Sequence, residues 1–591
     1  MNAQELSPRA RALVLAGTML GLLVAAIDQT VVSTALPRII GELGGLSLFS
    51  WVFTAYMLTS TITVPLVGKF GDMYGRKPFF MGGILVFTIA SALAGLSQNM
   101  TQLIIFRGLQ GFGAGAIMSN AFAIIGDLYP PSERGKYQGL FAAVFGLASI
   151  AGPTVGGTIT DNLTWRWVFY VNIPIGVVAQ AVLWYGFPWV RGARHRHHID
   201  YLGAALLTGA VVPLLLALVW GGDLYAWRSP QIGALFGASA ASLAAFVFVE
   251  QRATEPIIPL KLFSNRIFQV VTVVTFLTGI GMFGAISFMP LFIQGVLGSS
   301  ATNSGTVMVP MMLGMVVSSA IVGQLVSRFG HYRPFIVAGG AILALGMFLL
   351  TRMTAESSYA TAVRNMIVLG IGIGIGMPIL GLIVQNAVPY RLLGVVSSST
   401  QFFRQIGGTL GVAIFGTLVT THLRDNLQSN LPADVTTNVP PAMLGSLGDP
   451  QVLLSPSALD RLQASFASLG DAGPRLFQET VTAMRVTLAD GLVLVFGVAF
   501  VVALVSLVLS VFIPELALRT TIDDLPDERA PALAPAAAAG PFDSPPAAAP
   551  ARAPAAAGPF DSLPAAATVP ALLAADDMPA PFRPSARGTL K

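Results

Sequence analysis

The sequence contains no cysteine among its 591 residues, and only 10% of its residues are charged. Without cysteine the chain cannot form disulfide bonds, thiolate metal sites or cysteine nucleophiles. Soluble domains carry about 25% charged residues, so this shortage of charge excludes an ordinary water-soluble globular protein. The chain is instead 54% hydrophobic, with a mean hydropathy of +0.72. This composition predicts a protein that crosses a membrane several times.

Apolar runs of the length that a membrane-spanning helix needs, roughly 20 residues, recur along the chain. The first run is too long for the apolar core of a signal peptide and contains Asp28, so we interpret it as a retained span. The predicted fold class is an all-α membrane protein with fourteen spans. The spans are 12–36, 49–68, 79–98, 101–125, 137–160, 167–189, 201–220, 231–250, 268–294, 304–326, 335–353, 361–388, 394–420 and 487–513.

Lysine and arginine are concentrated in alternate short loops. With a cytoplasmic N-terminus, the inner loops hold fourteen of these residues and the outer loops hold only Arg38, Arg166, Arg228 and Arg352. Cytoplasmic loops carry such an excess, so we predict that both termini are cytoplasmic and that the protein lies in the cell membrane. The same pattern accounts for the net charge of +5 without a nucleic-acid partner.

Two long segments lie outside the predicted spans. The first, residues 421–486, is an outer loop in which Ser455 can cap a helix that begins at Pro456 and ends near Gly470. The apolar face of this helix predicts contact with the membrane surface or with the helix bundle. The loop itself is either a connector or a docking site for an extracytoplasmic partner. The second segment, residues 523–591, is rich in alanine and proline and predicts a disordered cytoplasmic tail. The apolar face of the helix in the outer loop consists of Leu459, Leu462, Phe466 and Leu469.

A short motif occurs twice in the sequence. It reads GKFGDMYGRK over residues 68–77, after span 2, and GQLVSRFG over residues 323–330, after span 10. Both copies are predicted to lie in inner loops. Repetition over such an interval is common in transporters built from two related halves, and it predicts two six-helix bundles with a substrate cavity between them. The predicted domains are 1–11 (cytoplasmic N-terminus), 12–190 (N-terminal bundle), 191–267 (inserted helix pair with flanking loops), 268–522 (C-terminal bundle) and 523–591 (tail).

Further motifs lie in spans 4 and 5 and at the start of span 6. They read RGLQG at 107–111, GPTVGG at 152–157, WRW at 165–167 and NIP at 172–174. With these and the repeated motif, the chain resembles the major facilitator superfamily over about residues 12–513, in particular its fourteen-span drug:proton antiporters of the EmrB/QacA type. The resemblance implies a proton-coupled secondary active exporter of drugs or other amphipathic lipophilic compounds that works by alternating access. It implies no enzyme activity and no cofactor, and we expect a monomer.

Asp28 is an acid within span 1. A carboxylate at the centre of a membrane helix costs about 2.5–3.5 kcal/mol to insert, so it requires a partner or contact with water. With a rise of about 1.5 Å per residue, Asp28 lies roughly 13 Å from the outer end of its span, and Arg107 lies roughly 9 Å from the outer start of span 4. The two charges therefore share a similar depth. We predict that Asp28 exchanges a proton, with Arg107 and Gln110 setting its proton affinity and orientation; the alternative is a static ion pair.

The first copy of the repeated motif predicts a latch between the two halves. Gly68 and Gly75 permit a tight turn and a close approach. Asp72 can face the positive N-terminal end of another helix, and the resemblance suggests span 13 as that helix. Arg76 can pair with Asp127 at the inner end of span 4. The alternative is a loop whose charges only set the orientation, although acids contribute little to orientation.

Span 5 carries small residues and one proline, at Gly146, Gly152, Pro153, Gly156 and Gly157. Small residues allow a neighbouring helix to come close, and proline kinks a helix because it has no backbone N–H. The resembled family assigns this antiporter motif to sealing the cavity between the halves. General helix packing explains the same residues.

Arg404 and Gln405 of span 13 match the family and are candidate residues of the cavity lining, unless the arginine only anchors its helix by snorkelling. The chain has no P-loop lysine motif, so no ATP site is predicted. His195, His197 and His198 lie among arginines and predict a solvated inner loop instead of a metal site.

Two alternatives to a drug exporter stay open in the sequence. One is an exporter of an endogenous lipid, siderophore or secondary metabolite, for which the outer loop could dock a partner. The other is a non-transporting membrane scaffold. The expected partners are small amphipathic substrates, protons and the lipid bilayer. Acids other than Asp28 are few within the spans, so tight binding of dicationic compounds is not predicted.

Overall fold

The computed structural model describes residues 7–43, 48–187, 198–222, 224–299, 301–439, 453, 456–467 and 470–519. Within these ranges the regular structure is helical, apart from an isolated bridge between Gly221 and Tyr225. The α-helices are α1 (Pro8–Leu43), α2 (Phe49–Tyr74), α3 (Arg76–Gly95), α4 (Met100–Leu128), α5 (Pro131–Asn162), α6 (Trp167–Tyr170), α7 (Asn172–Gly186), α8 (Tyr201–Trp220), α9 (Pro230–Glu250), α10 (Arg266–Leu291), α11 (Ala301–Phe329), α12 (Arg333–Thr351), α13 (Tyr359–Asn386), α14 (Leu393–Asn430), α15 (Ala433–Asn438), α16 (Pro456–Ala467) and α17 (Gly473–Val511).

In the described ranges, fourteen helical segments are long and apolar enough to cross a membrane. The prediction of an all-α membrane protein with fourteen spans is therefore confirmed. The largest differences from the predicted ends are in α14, which continues beyond residue 420 to Asn430, and in α17, which begins at Gly473 instead of residue 487. Both extensions lie in the predicted outer loop. Polar residues there allow a helix to continue beyond the apolar run that defined the span.

Span 6 consists of two helices, α6 and α7, which are separated at Val171. Pro174 has no N–H to donate to the Tyr170 carbonyl, so the hydrogen-bond ladder of the helix is interrupted at this point. The interruption makes Asn172 the first residue of α7. It thereby places a polar, fully buried side chain among the neighbouring helices.

Buried apolar residues form one cluster that is centred on α1–α5 and α7, and another among α10–α14 and α17. The inserted helices α8 and α9 pack on each other, and α8 also contacts α2 and α14. The rings of Trp51 and Trp220 meet edge to face with centroids 5.5 Å apart, and the Trp227 indole donates to Thr417 Oγ1 at 2.9 Å. The inserted pair therefore contacts helices of both predicted bundles.

The two predicted bundles meet where α5 crosses α11 and where α2 and α4 cross α14. The backbones of α5 and α11 are so close that a Cβ atom on Gly135 would lie 2.8 Å from the Gly323 carbonyl oxygen. Gly323 begins the second copy of the repeated motif. The prediction that this copy forms a loop is wrong, because its residues belong to the last turns of α11 and only Gly330, with a φ of +73°, leaves the helix.

The helix predicted within the outer loop is present as α16, and it begins at Pro456 as expected. Of the two predicted surroundings, the structure shows the helix bundle: Leu462 and Phe466 are buried, and the Phe466 ring lies 6.0 Å from that of Phe477 in α17. Gly470 has a φ of +79°, which suits a residue that follows a helix. Ser455, Leu469 and the predicted tail at 523–591 lie outside the described residues.

Candidate functional site

The structure brings together the three residues predicted to handle a proton. Arg107 Nη1 of α4 lies 2.5 Å from Asp28 Oδ2 of α1, and Gln110 Nε2 donates to Asp28 Oδ1 at 2.7 Å. Arg107 and Gln110 lie one turn apart on α4, and Arg107 Nη1 also donates to Gln110 Oε1 at 2.8 Å. All three side chains have no exposed surface. A buried carboxylate here has both a cation and a neutral donor.

Sequence reasoning missed two further residues of this cluster. Asn172 at the start of α7 donates to Asp28 Oδ1 at 2.9 Å, so this carboxylate accepts hydrogen bonds from α4 and α7. Ser91 Oγ of α3 accepts from Asn172 and from Gln110 at 3.0 and 3.1 Å, and it donates to the Phe169 carbonyl at 2.8 Å. The available signal was the NIP motif at 172–174, which the sequence analysis used only for the resemblance.

Arg107 is held on its other sides by α2. Its Nε donates to the Val52 carbonyl at 3.3 Å, and its Cζ lies 4.3 Å from the centre of the Tyr56 ring, within the range of a cation–π contact. Arg107 Nη2 and Asn172 Oδ1 have no hydrogen-bond partner among the described residues. Buried polar groups are normally paired, so these two atoms mark the cluster as incompletely satisfied in this conformation.

The predicted contacts of the latch are also present. Asp72 of α2 accepts from the backbone N–H groups of Gly394 and Val395 at 3.0 and 2.7 Å, at the N-terminal end of α14. Arg76 pairs with Asp72, and its Nε donates to Asp127 Oδ2 of α4 at 3.2 Å. The carboxylate therefore faces the positive end of a helix from the other predicted bundle while an arginine balances its charge.

The first copy of the motif is mostly helical, which corrects the predicted loop. Helix α2 continues to Tyr74, and Gly75, with a φ of +92°, makes the turn into α3. Gly68 lies within α2 instead of in a turn. A Cβ atom at Gly68 would lie 2.5 Å from the Cβ atom of Ser398 in α14, so its role in this structure is close approach alone.

Another contact between the bundles was missed by the sequence analysis. Arg134 of α5 is buried, and its Nη1 lies 3.4 Å from Gln385 Oε1 of α13. It also donates to the carbonyls of Gly126 and Tyr129 at 2.7 and 2.8 Å. From the sequence, Arg134 counted only as a positive charge of an inner loop. Nothing in the sequence paired it with a glutamine 251 residues away.

The small residues of span 5 face different neighbours. Gly146 faces α11, where a Cβ atom would lie 2.5 Å from a valine side chain, whereas Gly152 packs on a threonine of α1. The Gly156 carbonyl accepts from a threonine of its own helix, and Gly157 has open space beside it. The side chain of Pro153 lies outside the described part of the structure. Gly146 therefore contacts the other predicted bundle in this conformation, whereas Gly152 contacts a helix of its own bundle.

The WRW motif contributes an ion pair at the C-terminal end of α1. Arg166 Nη1 lies 2.5 Å from Glu42 Oε1, and the Trp165 indole donates to Glu42 Oε2 at 2.9 Å. The hydrogen bond from Arg166 holds the pKa of Glu42 below its ordinary value. The ionised form of Glu42 thus ties the end of α1 to the segment between α5 and α6.

A cavity lies between the two predicted bundles, in the halves of the helices nearest the latch. Residues of α4 and α5 line one side, and residues of α10, α13 and α14 line the other. Arg404 contributes to the lining as predicted, whereas Gln405 is not among the lining residues. Gln138 and Thr275 also line the cavity, and both are buried.

Comparison with known proteins places this geometry in a family. Residues 18–412 match the Major Facilitator Superfamily. The multidrug transporter protein MdtP of Bacillus subtilis (strain 168) is 41% identical over 521 residues, which cover 85% of this chain and 93% of that protein. Multidrug resistance protein 3 of the same organism is 40% identical over 441 residues, or 74% of this chain and 85% of that protein.

Solved structures agree on the fold. The structure of the proton:xylose symporter XylE covers 88% of this chain and 98% of its own, with a TM-score of 0.52 and 14% sequence identity. At this identity the similarity establishes the fold, and the function rests on the closer relatives, which are transporters and not enzymes. The chain is therefore a multi-pass membrane transporter, and it belongs to the Major Facilitator Superfamily.

Proposed function

We propose that the protein is a proton-coupled antiporter that exports amphipathic lipophilic compounds, with Asp28 as the group that carries the proton. The names of its multidrug relatives support the export of drug-like compounds. The observation that carries the proposal of proton coupling is the ion pair between Asp28 and Arg107, in which neither side chain is exposed. Ionisable residues inside a membrane protein are functional by default, because their burial is costly.

Protonation of Asp28 would change the balance of charge in this cluster. The pair has no net charge when the Asp28 carboxylate is ionised. When Asp28 binds a proton, the Arg107 guanidinium becomes a buried cation without a balancing negative charge. Arg107 would keep its contacts with Val52 and Tyr56 of α2, whereas the electrostatic attraction between Asp28 of α1 and Arg107 of α4 would weaken. A proton that enters with the membrane potential supplies about 2.3 kcal/mol per 100 mV, which can drive export without ATP.

The latch supports alternating access as the conformational cycle. Asp72 joins α2 to the N-terminal end of α14, and Arg76 joins it to Asp127 of α4. These contacts link the two predicted bundles at one end, so they have to break when the bundles separate there. We propose that this end is cytoplasmic, in a cell membrane, and that the transporter works as a monomer.

The test is transport by the purified full-length chain in liposomes. A panel of fluorescent lipophilic compounds, with anionic, neutral and cationic members, is followed with and without an imposed pH gradient. At least one member should move only when the gradient is present, and Asp28→Asn should abolish that movement while the protein stays folded. Asp490→Asn removes an exposed acid from α17 and is the matched control, with transport unchanged. Gradient-driven transport by Asp28→Asn would show that Asp28 is only structural.

A further inference from the structure

The cavity between the bundles has an unusual distribution of charge. Among the described residues that line it, Arg404 of α14 is the one charged residue, and none is an aspartate or a glutamate. Among the described residues, Arg404 makes no ion pair; its guanidinium donates to Gln401, a neutral side chain one turn away. A guanidinium in a membrane-spanning helix is costly without an anion, and no described residue balances the positive charge in this cavity.

The buried aspartates that could neutralise Arg404 are paired with other arginines. Asp28 is paired with Arg107, and Asp72 and Asp127 are both paired with Arg76. Each of these carboxylates belongs to a cluster outside the cavity lining. A cationic substrate in the cavity would therefore meet Arg404 without a carboxylate to offset the repulsion.

Two neutral polar residues of the lining also lack partners. Both the amide nitrogen and the amide oxygen of Gln138 are without a hydrogen-bond partner in the described structure, as is the hydroxyl of Thr275. Gln138 is 3% exposed and Thr275 is 1% exposed, so water does not satisfy them at the protein surface. They lie on opposite bundles, and together with Arg404 they provide free donors around one space.

Apolar, adaptable side chains also line the cavity, beside the further polar residues Thr278, Gln385, Ser397, Thr400 and Gln401. Met282 and Met377 come from α10 and α13, and Phe122 comes from α4. Methionine has three rotatable bonds and a polarizable sulfur, so it accommodates rings of different shape. A cavity of this kind suits an apolar ring system that carries one group able to accept hydrogen bonds and offset a positive charge.

We infer that this cavity binds lipophilic weak acids, with the substrate carboxylate on Arg404 and its ring among Met282, Met377 and Phe122. The inference rests on the proposed export function and names the substrate class for it. Guanidinium groups bind carboxylates through two parallel hydrogen bonds, which gives both affinity and orientation. Gln138 and Thr275 then act as neutral hydrogen-bond donors to the same substrate carboxylate.

Equilibrium binding to the full-length protein in detergent tests this inference, with no gradient present. Three probes share a naphthalene ring and carry a carboxylate, a carboxamide or a trimethylammonium group. We expect the carboxylate to bind at least about tenfold more tightly than the ammonium, because a charge-assisted hydrogen bond is worth that much. Arg404→Gln should weaken carboxylate binding by about tenfold and change carboxamide binding by less than about threefold.

Two further variants keep the test decisive. Arg404→Lys retains the charge but loses the planar fork, so its affinity for the carboxylate should lie between those of the wild type and Arg404→Gln. Arg364→Gln removes an arginine of α13 that donates to its neighbour Asn365, outside the cavity, and should change nothing. If Arg404→Gln does not fold, the inference is tested by the order of the three probes' affinities for the wild-type protein and for Arg404→Lys.

Two results would overturn the inference. One is that the ammonium probe binds as tightly as the carboxylate probe. The other is that binding of the carboxylate probe does not depend on Arg404, or is not detected at millimolar concentration. Failure of proton coupling would leave these binding results unaffected. Conversely, a gradient-driven transporter that prefers the ammonium probe would keep the proposed function and lose only the substrate class.

Discussion

Asn172 and Gln110 donate to the same oxygen of Asp28, at 2.9 and 2.7 Å, although they lie on different helices. The asparagine reaches the carboxylate because the break at Val171 makes it the first residue of α7. Hydrogen bonds to a carboxylate favour its ionised form. Asn172 is thus a positioning residue through which α7 acts on the proposed proton site.

Replacement of Asn172 should slow gradient-driven transport. Asn172→Leu keeps the size of the side chain and removes a donor to Asp28 Oδ1, so the transport rate should fall by about tenfold, the equivalent of one hydrogen bond to a charged group. Asn172→Gln retains an amide donor and should recover part of the lost rate. The measurement is dye transport in liposomes with an imposed pH gradient, and Asn162→Leu, at an exposed site at the end of α5, is the control. Equal rates for Asn172→Leu and Asn172→Gln would show that Asn172 only supports packing.

Loss of Arg107 alone should destabilise the protein. Arg107→Gln leaves Asp28 as a buried charge without its cation, and breaking such a pair costs about 3–5 kcal/mol. The double variant with Asp28→Asn removes both charges and should recover most of the lost thermal stability. Unfolding of the purified proteins, followed by tryptophan fluorescence, measures this. Equal stability of the wild type and Arg107→Gln would contradict the proposed ion pair.

Asp72→Asn should weaken the latch. A carboxylate at a helix N-terminus contributes about 0.3–2 kcal/mol, so its loss should favour the conformation in which α2 and α14 separate. Ser398 is 1% exposed and lies against Gly68, and the chain has no other cysteine, so Ser398→Cys reports this separation through maleimide labelling. Labelling should become faster when Asp72→Asn is added. Glu133→Gln, an exposed acid in the first turn of α5, should not change the labelling rate.

The proposed orientation is testable with the same cysteine-free background. Arg228 lies in a predicted outer loop and Arg391 in a predicted inner loop, and both are exposed. A membrane-impermeant maleimide should label Arg228→Cys in intact cells, and should label Arg391→Cys only after permeabilisation. The opposite pattern would reverse the orientation and place the latch at the outer face.

The sequence predicted local features well, but it predicted contacts between distant segments only where a charged side chain required a partner. Asp28 and Arg107 were paired because burial of either charge demands compensation, and the structure places them 2.5 Å apart. The pairing of Arg134 with Gln385 was not predicted, because a neutral glutamine gives no such demand. The helical state of both copies of the repeated motif was also missed, since glycine and charge together suggested a loop although the helix continues through them.

The sequence alone determined that this protein lies in a lipid bilayer and that its fold is all-α. With 54% hydrophobic residues in runs of membrane length, backbone groups have to be satisfied within each segment, and helices are the result. What only the tertiary structure decided is which helix faces meet. Membrane helices are apolar on nearly all sides, so their periodicity does not say which side is buried. Packing between helices that are far apart in the chain brings Asp28 together with Ser91 and Asn172, and it places Arg404 in a cavity whose described lining contains no acid.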